Sequence, residues 1–323
     1  MSLAYTSRLL ALCLATFFLV HFAAGLFVIA ISNAVVRMTE RISARAATRW
    51  LFALRLLPPI SGLFVVAVLC IPSYLWWEPE MDHEDTGILF LVLALLGLAV
   101  WSASIYRTSR AAGRSRDYIS RCESLGVSAQ WEGETAPIWI VEETNSIILA
   151  GILHSRLFVS RKAVTALSPE ELAAALRHEC AHRASRDNLK RLFILLSPGL
   201  LPFYHGFHAL ENHWSRLTEW AADDWAVNGD SSRCLSLASA LVQVARLNPS
   251  ARPSSIVTSF LDDSQGLAAR VDRLLQLSPP EPKVRISRLA TAGTLAFTVL
   301  FLGVMLRPAA LQSIHRLLED LVH

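Results

Sequence analysis

Long apolar runs are the feature that most narrows what this chain can fold into. Leu9 to Ile31 carries no charged side chain apart from His21. Trp50 to Ile71 is broken only by Arg55 and by Pro58-Pro59, and Gly87 to Tyr106 and Leu289 to Leu306 are apolar throughout. About 20 apolar residues suffice to cross a bilayer as a helix. With 53% hydrophobic residues and a mean hydropathy of +0.40, the composition is that of a membrane protein. The first run is too long for a signal-peptide core and continues into Asn33-Ala34-Val35-Val36-Arg37, so it reads as a retained span. The expected fold class is a mainly α membrane protein with four transmembrane helices and an α+β cytoplasmic domain.

Charge placement orders the topology. Arg37, Arg41, Arg45 and Arg49 recur every four residues and stripe one helix face, and Arg107, Arg110, Arg114, Arg116 and Arg121 follow the third run. The loop from Pro72 to Thr86 has five carboxylates and no Lys or Arg. The positive-inside rule puts the basic stretches in the cytoplasm and the acidic loop outside. Lys283, Arg285 and Arg288 place the near side of the fourth run in the cytoplasm as well. Both termini are therefore expected outside, in a multi-pass protein of the cell's inner (cytoplasmic) membrane. Residues 1–106 form an N-terminal membrane domain of three spans, 107–288 a cytoplasmic domain, and 289–323 a fourth span with a short outer tail. The net charge of +3 and the membrane-facing arginines give no reason to expect direct nucleic-acid binding. Five cysteines without a C-x-x-C pattern read as reduced thiols.

Within the cytoplasmic segment, 137–141 and 156–160 are short, β-branched or aromatic, and read as strands, with Gly151 near a bend. Ser168-Pro169-Glu170-Glu171 is a helix start: an N-cap serine, a proline in the first turn and a glutamate that completes a capping box. The helix is expected to run to about Arg186. Residues 192–207 are apolar but interrupted by Ser197-Pro198-Gly199 and Pro202, and read as a hairpin dipping into the membrane face. Helices are expected over 211–227, 231–247 and 265–277.

His178-Glu179-Cys180-Ala181-His182 carries the chemistry. Residues four apart share a helix face, so both imidazoles can reach one metal, and the intervening glutamate can act as a base. A catalytic zinc ion takes three protein ligands and leaves one position open. Glu219 is the expected third ligand. Asp223, one turn further on, suits the task of accepting the free N–H of a histidine ligand. Asp187, five after His182, could pair with a neighbouring arginine or support the site, and reads as the structural pair. For the developing oxyanion a donor is needed, and His213 and Arg216 are the candidates carried forward from a group that includes Tyr204, His205 and His208.

These motifs resemble those of the integral-membrane gluzincin metallopeptidases. Phe158-Val159-Ser160, Leu167 to Leu172, the His178–His182 motif with Asp187, and Glu219 to Asp223 are similar to that family's strand, helix start, active helix and second zinc motif. Three spans before the motif and one after it resemble the β-lactam sensor-transducer (BlaR/MecR-like) layout, without its C-terminal penicillin-binding sensor domain. The resemblance implies one zinc ion, peptide-bond hydrolysis and a regulatory role. The substrate would be a cytoplasmic protein, either a transcriptional repressor or the chain itself, and the other partner the lipid bilayer. Two alternatives stand beside it: a non-cleaving membrane signal transducer with a structural zinc site, and a quality-control membrane protease.

Overall fold

The computed structural model describes residues 3–77, 87–131, 137–142, 146–247, 258–259 and 266–276. The expected fourth span, the outer tail and most of the acidic loop lie outside the described residues.

The described chain is mostly helical, with one small sheet. Helix α1 (Leu3–Thr39) is followed by α2 (Ala44–Val65), five residues of π-helix (Val66–Cys70) and α3 (Ile71–Trp77). Helix α4 spans Ile88–Leu125. Three stretches, Tyr5–Thr39, Ala44–Leu75 and Ile88–Leu125, are long and apolar enough to cross a membrane. Each is longer than its apolar run in sequence. At 1.5 Å per residue, the 38 residues of α4 extend about 57 Å, against about 30 Å of hydrocarbon, so its arginine-bearing half continues beyond a bilayer core. The boundary expected at residue 106 falls inside this unbroken helix. Pro58 and Pro59, which interrupt the second apolar run in sequence, are buried inside α2, and the ladder widens later, at Val66–Cys70.

The three long helices pack tightly. Leu12, Ala15, Cys70, Tyr74, Phe90 and Ala94 form one cluster; Phe17, Phe18 and Val100 form another. At Gly97 of α4 a side chain would collide with the backbone carbonyl of Leu14, so glycine permits the closest approach of α1 and α4.

Among the described residues the sheet has five strands, two of them at the stretches read as strands in the sequence. They are β1 (Val127–Ala129), β2 (Ile138–Val141), β3 (Ile147–Ala150), β4 (Arg156–Ser160) and β5 (Thr258–Ser259), in spatial order β1-β2-β4-β3-β5. Only the β2–β4 pair is parallel. Alternation divides the strands between two cores. Leu157 and Val159 join Ile147 and Leu149 on the face packed against α6 and α9, while Phe158 joins Cys122, Val141 and Ala150 on the face against α4. A sheet covered on both faces loses its polar alternation, which explains why Leu157, Phe158 and Val159 of β4 are all apolar and all buried.

A short helix, α5 (Arg161–Ala166), leads to α6 (Pro169–Ser185), whose capping box is complete: Ser168 Oγ accepts from Glu171 N–H at 3.2 Å, and Glu171 Oε2 accepts from Ser168 N–H at 2.8 Å. Arg186 ends α6 in the left-handed region at φ 55°, and α7 (Asp187–Leu196) starts at the next residue. Then come α8 (His208–Val227), α9 (Ser231–Leu247) and α10 (Leu267–Leu275). Residues 192–196 thus close α7 and do not begin a hairpin; the tight turn starts at Ser197, with Leu201 and Tyr204 bonded across it. That turn packs among the long helices. His21, fully buried, donates from Nε2 to the Gly199 carbonyl at 2.9 Å. Phe203, at the tip, is completely exposed. Val28, Ala47 and Leu51 share a core with Leu200, Phe207, Leu210, Trp214 and Leu217, so α8 is built directly onto α1 and α2.

Candidate metal centre

Helices α6 and α8 pack against each other with their histidine and carboxylate turns facing. His178, His182 and Glu219 each offer a ligand atom within 4.8 Å of the others, all buried. His178 Nε2 lies 3.1 Å from His182 Nε2, 3.4 Å from Glu219 Oε2, and His182 Nε2 lies 3.6 Å from Glu219 Oε1.

Carboxylates fix the ring orientations. Asp223 Oδ1 stands 2.9 Å from His178 Nδ1, and Asp187 Oδ2 stands 2.9 Å from His182 Nδ1. Each Nδ1 therefore carries a proton, and the two Nε2 atoms face each other and Glu219 across the centre. Two ring nitrogens and a carboxylate meeting at these distances repel one another unless a proton or a metal cation lies among them. Zinc–nitrogen bonds of about 2.0–2.1 Å in tetrahedral geometry put ligand atoms roughly 3.3 Å apart, close to the separations seen here. Neither Glu219 oxygen has a hydrogen-bond partner. On donor type, spacing and two carboxylate oxygens without a hydrogen bond, the three residues fit a zinc ion.

The electrostatics agree. Burial opposes protonation of His182, but Glu219 and Asp187 outweigh it and push the ring up to about 10. Burial also works against ionised Glu219, and His182, His178 and Arg270 overcome it to hold the carboxyl well below the usual range. The pocket thus favours positive charge at its middle. Glu179, wholly buried beside the ligands, has neither oxygen hydrogen-bonded; burial pushes its carboxyl up to about 7 against the pull of His182 and His178.

Two contributors were not read from the sequence in these roles. Arg270 of α10 donates to Asp223 Oδ2 from Nε at 2.9 Å and to Oδ1 from Nη2 at 2.7 Å, with Nη1 3.3 Å from Glu219 Oε2. Burial opposes ionised Asp223, but Arg270 and His178 bring it down to about 2. A signal for Arg270 exists: it sits three after Leu267 and four before Leu274, on the apolar face of its helix, where an arginine needs buried carboxylates. For Asp187 an arginine pair was preferred to a role in the site; it pairs with a lysine, Lys190, at 2.7 Å, and its other oxygen holds His182 at 2.9 Å. The left-handed turn at Arg186 reverses the chain sharply enough to bring Asp187 back beneath that ring.

His213 and Arg216 sit apart from this set. His213 donates from Nε2 to Thr39 Oγ1 at 2.9 Å, at the end of α1, and accepts at Nδ1 from Arg216 Nη2 at 2.6 Å. Arg216 also stacks over Trp220. These bonds tie α8 to α1. A cleft of about 820 Å³ opens beside the end of α6, between Trp139, Leu153, Arg156, Arg183 and Arg186; none of the three metal-site residues lines it.

No protein-family profile matches the chain, and no curated protein matches it.

Proposed function

We propose that this chain is a zinc-dependent membrane endopeptidase of the gluzincin kind, similar in layout to the BlaR/MecR-like transducers, that cuts a cytoplasmic protein in regulatory proteolysis. One observation carries the reading. A buried His178–His182–Glu219 group adjoins a buried glutamate, Glu179, whose oxygens are committed to no other partner. A purely structural metal site has no use for such a base. In this reading His178, His182 and Glu219 hold the ion. When bound, zinc supplies Lewis acidity toward a peptide carbonyl and toward water. Asp223 and Asp187 keep the imidazoles in the ligating tautomer, and Arg270 holds Asp223 and Glu219 ionised. Glu179 takes a proton from the attacking water and delivers it to the leaving amine nitrogen. The arginine-rich stretches of α4 and around the α1–α2 turn support a reading in which the centre faces the cytoplasm at an inner membrane and the apolar run 289–306 forms a fourth span.

The test is metal analysis of the purified full chain together with comparison of cleaved cytoplasmic peptides in cells carrying wild type or Glu179→Gln. The expected result is one zinc ion in both proteins and loss of one or two specific cleavages in the variant. Equal cleavage by both would remove the peptidase reading. A broad change across many membrane proteins would point to quality control.

A further inference from the structure

Arg55 is the most unusual residue outside the metal centre. It lies within a helix long and apolar enough to span a membrane, yet its guanidinium is almost completely buried in the protein. Four of its five N–H donors are used. Nε donates to Glu211 Oε1 at 2.6 Å, Nη1 to Ser197 Oγ at 2.5 Å, and Nη2 to the carbonyls of Ser197 and Pro198 at 3.1 and 3.2 Å. The guanidinium also lies 4.2 Å from the centre of the Phe207 ring. The network extends through His205, which donates from Nε2 to Glu211 at 2.8 Å and accepts at Nδ1 from Arg107 of α4 at 3.0 Å. His21 of α1 holds Gly199 in the same turn. All three long helices therefore grip the segment between Ser197 and Glu211.

The two helices that leave this segment both end in the metal centre. Ser197 caps α7, whose first residue, Asp187, orients His182. Glu211 is in the first turn of α8, and Glu219 lies eight residues on, about two turns along the same rigid helix. A buried charge in a membrane helix cannot move away from its acceptors without being left unpaired in a medium that does not solvate it. The turn must follow α2.

We infer that Arg55 is a positioning residue through which the membrane helices set the placement of Glu219 and Asp187, so that a shift of α2 against α1 and α4 retunes the metal centre. This rests on the reading of His178, His182 and Glu219 as a zinc site, and gives a signal at the spans a covalent-free route to that site.

The experiment measures zinc affinity, by competition with a chromophoric chelator, and the visible absorption of the cobalt-substituted full chain in lipid nanodiscs. Wild type, Arg55→Met, Arg55→Lys and Ser197→Ala are compared, each checked for folding by size-exclusion profile and far-ultraviolet dichroism. Loss of support around a ligand typically costs 10–100-fold in metal affinity, so Arg55→Met should weaken zinc binding about tenfold and alter the cobalt spectrum. Arg55→Lys should recover part of the loss, since a point charge still meets Glu211 without the fork to the two carbonyls. Ser197→Ala, which keeps Arg55 and removes one bond, should weaken binding about threefold. If Arg55→Met does not fold, Ser197→Ala decides. Folded variants that bind zinc within twofold of wild type and give its cobalt spectrum would overturn the inference. A wild-type chain that binds no zinc would instead overturn the metal reading on which it rests.

Discussion

Asp223→Asn is the sharpest probe of the centre. Asp223 is about 1% exposed and accepts three bonds, at 2.9 and 2.7 Å from Arg270 and 2.9 Å from His178. Asparagine keeps the shape, but one of its two terminal atoms becomes a donor. In either orientation that donor faces Arg270, and in one of them His178 as well, both of which also donate. Arg270, about 2% exposed, would lose its closest carboxylate and keep Glu219 at 3.3 Å. Removing one member of a buried ion pair costs about 3–5 kcal/mol, and the surviving Glu219 contact argues for the lower end, about 3 kcal/mol. For a domain of this size that corresponds to a fall of roughly 6–12 °C in Tm. Loss of the orienting carboxylate should also weaken zinc binding about 10–100-fold. Thermal unfolding of the detergent-solubilised chain, with and without added zinc, measures both. Adding Arg270→Met tests the cause: with both charges gone, the double variant should be more stable than the sum of the two single losses requires. A Tm within about 2 °C of wild type in Asp223→Asn, with zinc affinity within twofold, would refute the argument that this buried pair supports the centre.

Three further outcomes follow from the same structure. Ser168→Ala removes the bond from Glu171 N–H at the start of α6 and should cost about 1 kcal/mol, read by denaturant unfolding, with zinc affinity unchanged. Gly97→Ala drives a methyl group into the Leu14 carbonyl and should cost about 1–3 kcal/mol by forcing α1 and α4 apart; unchanged thermal stability would show that the helices separate freely. Burial works against ionised Glu211, yet His205 and Arg55 hold its carboxyl below the ordinary range. A depressed folded value means that this stabilisation is complete above the unfolded carboxylate pKa and fades as pH falls through the lower folded one. Glu211→Gln should therefore lower stability at neutral pH and flatten the acid limb of a Tm-against-pH curve.

Much of the architecture was legible because it is local. Apolar length marks the three long helices without any knowledge of their neighbours. The capping box at Ser168 sets the phase of α6, and a four-residue spacing puts His178 with His182, and Glu219 with Asp223, on single faces. Even so, helix ends ran past their apolar runs, because a helix continues wherever its backbone bonds are made, and the arginines of α4 interrupt hydropathy without interrupting those bonds.

What the tertiary structure decided is which distant groups meet. No spacing along the chain says that β5, more than 100 residues after β3, completes the sheet, or that Arg270 arrives at Asp223. Asp187 could serve a neighbouring cation or a histidine on sequence alone; the left-handed turn at Arg186 lets it serve both. The polar backbone of the turn after Ser197 is held by His21 and Arg55, two residues whose own sequence context showed only ionisable groups stranded in apolar runs. Buried polar groups must find partners, but sequence does not name them, because the partner is chosen by packing across the whole fold.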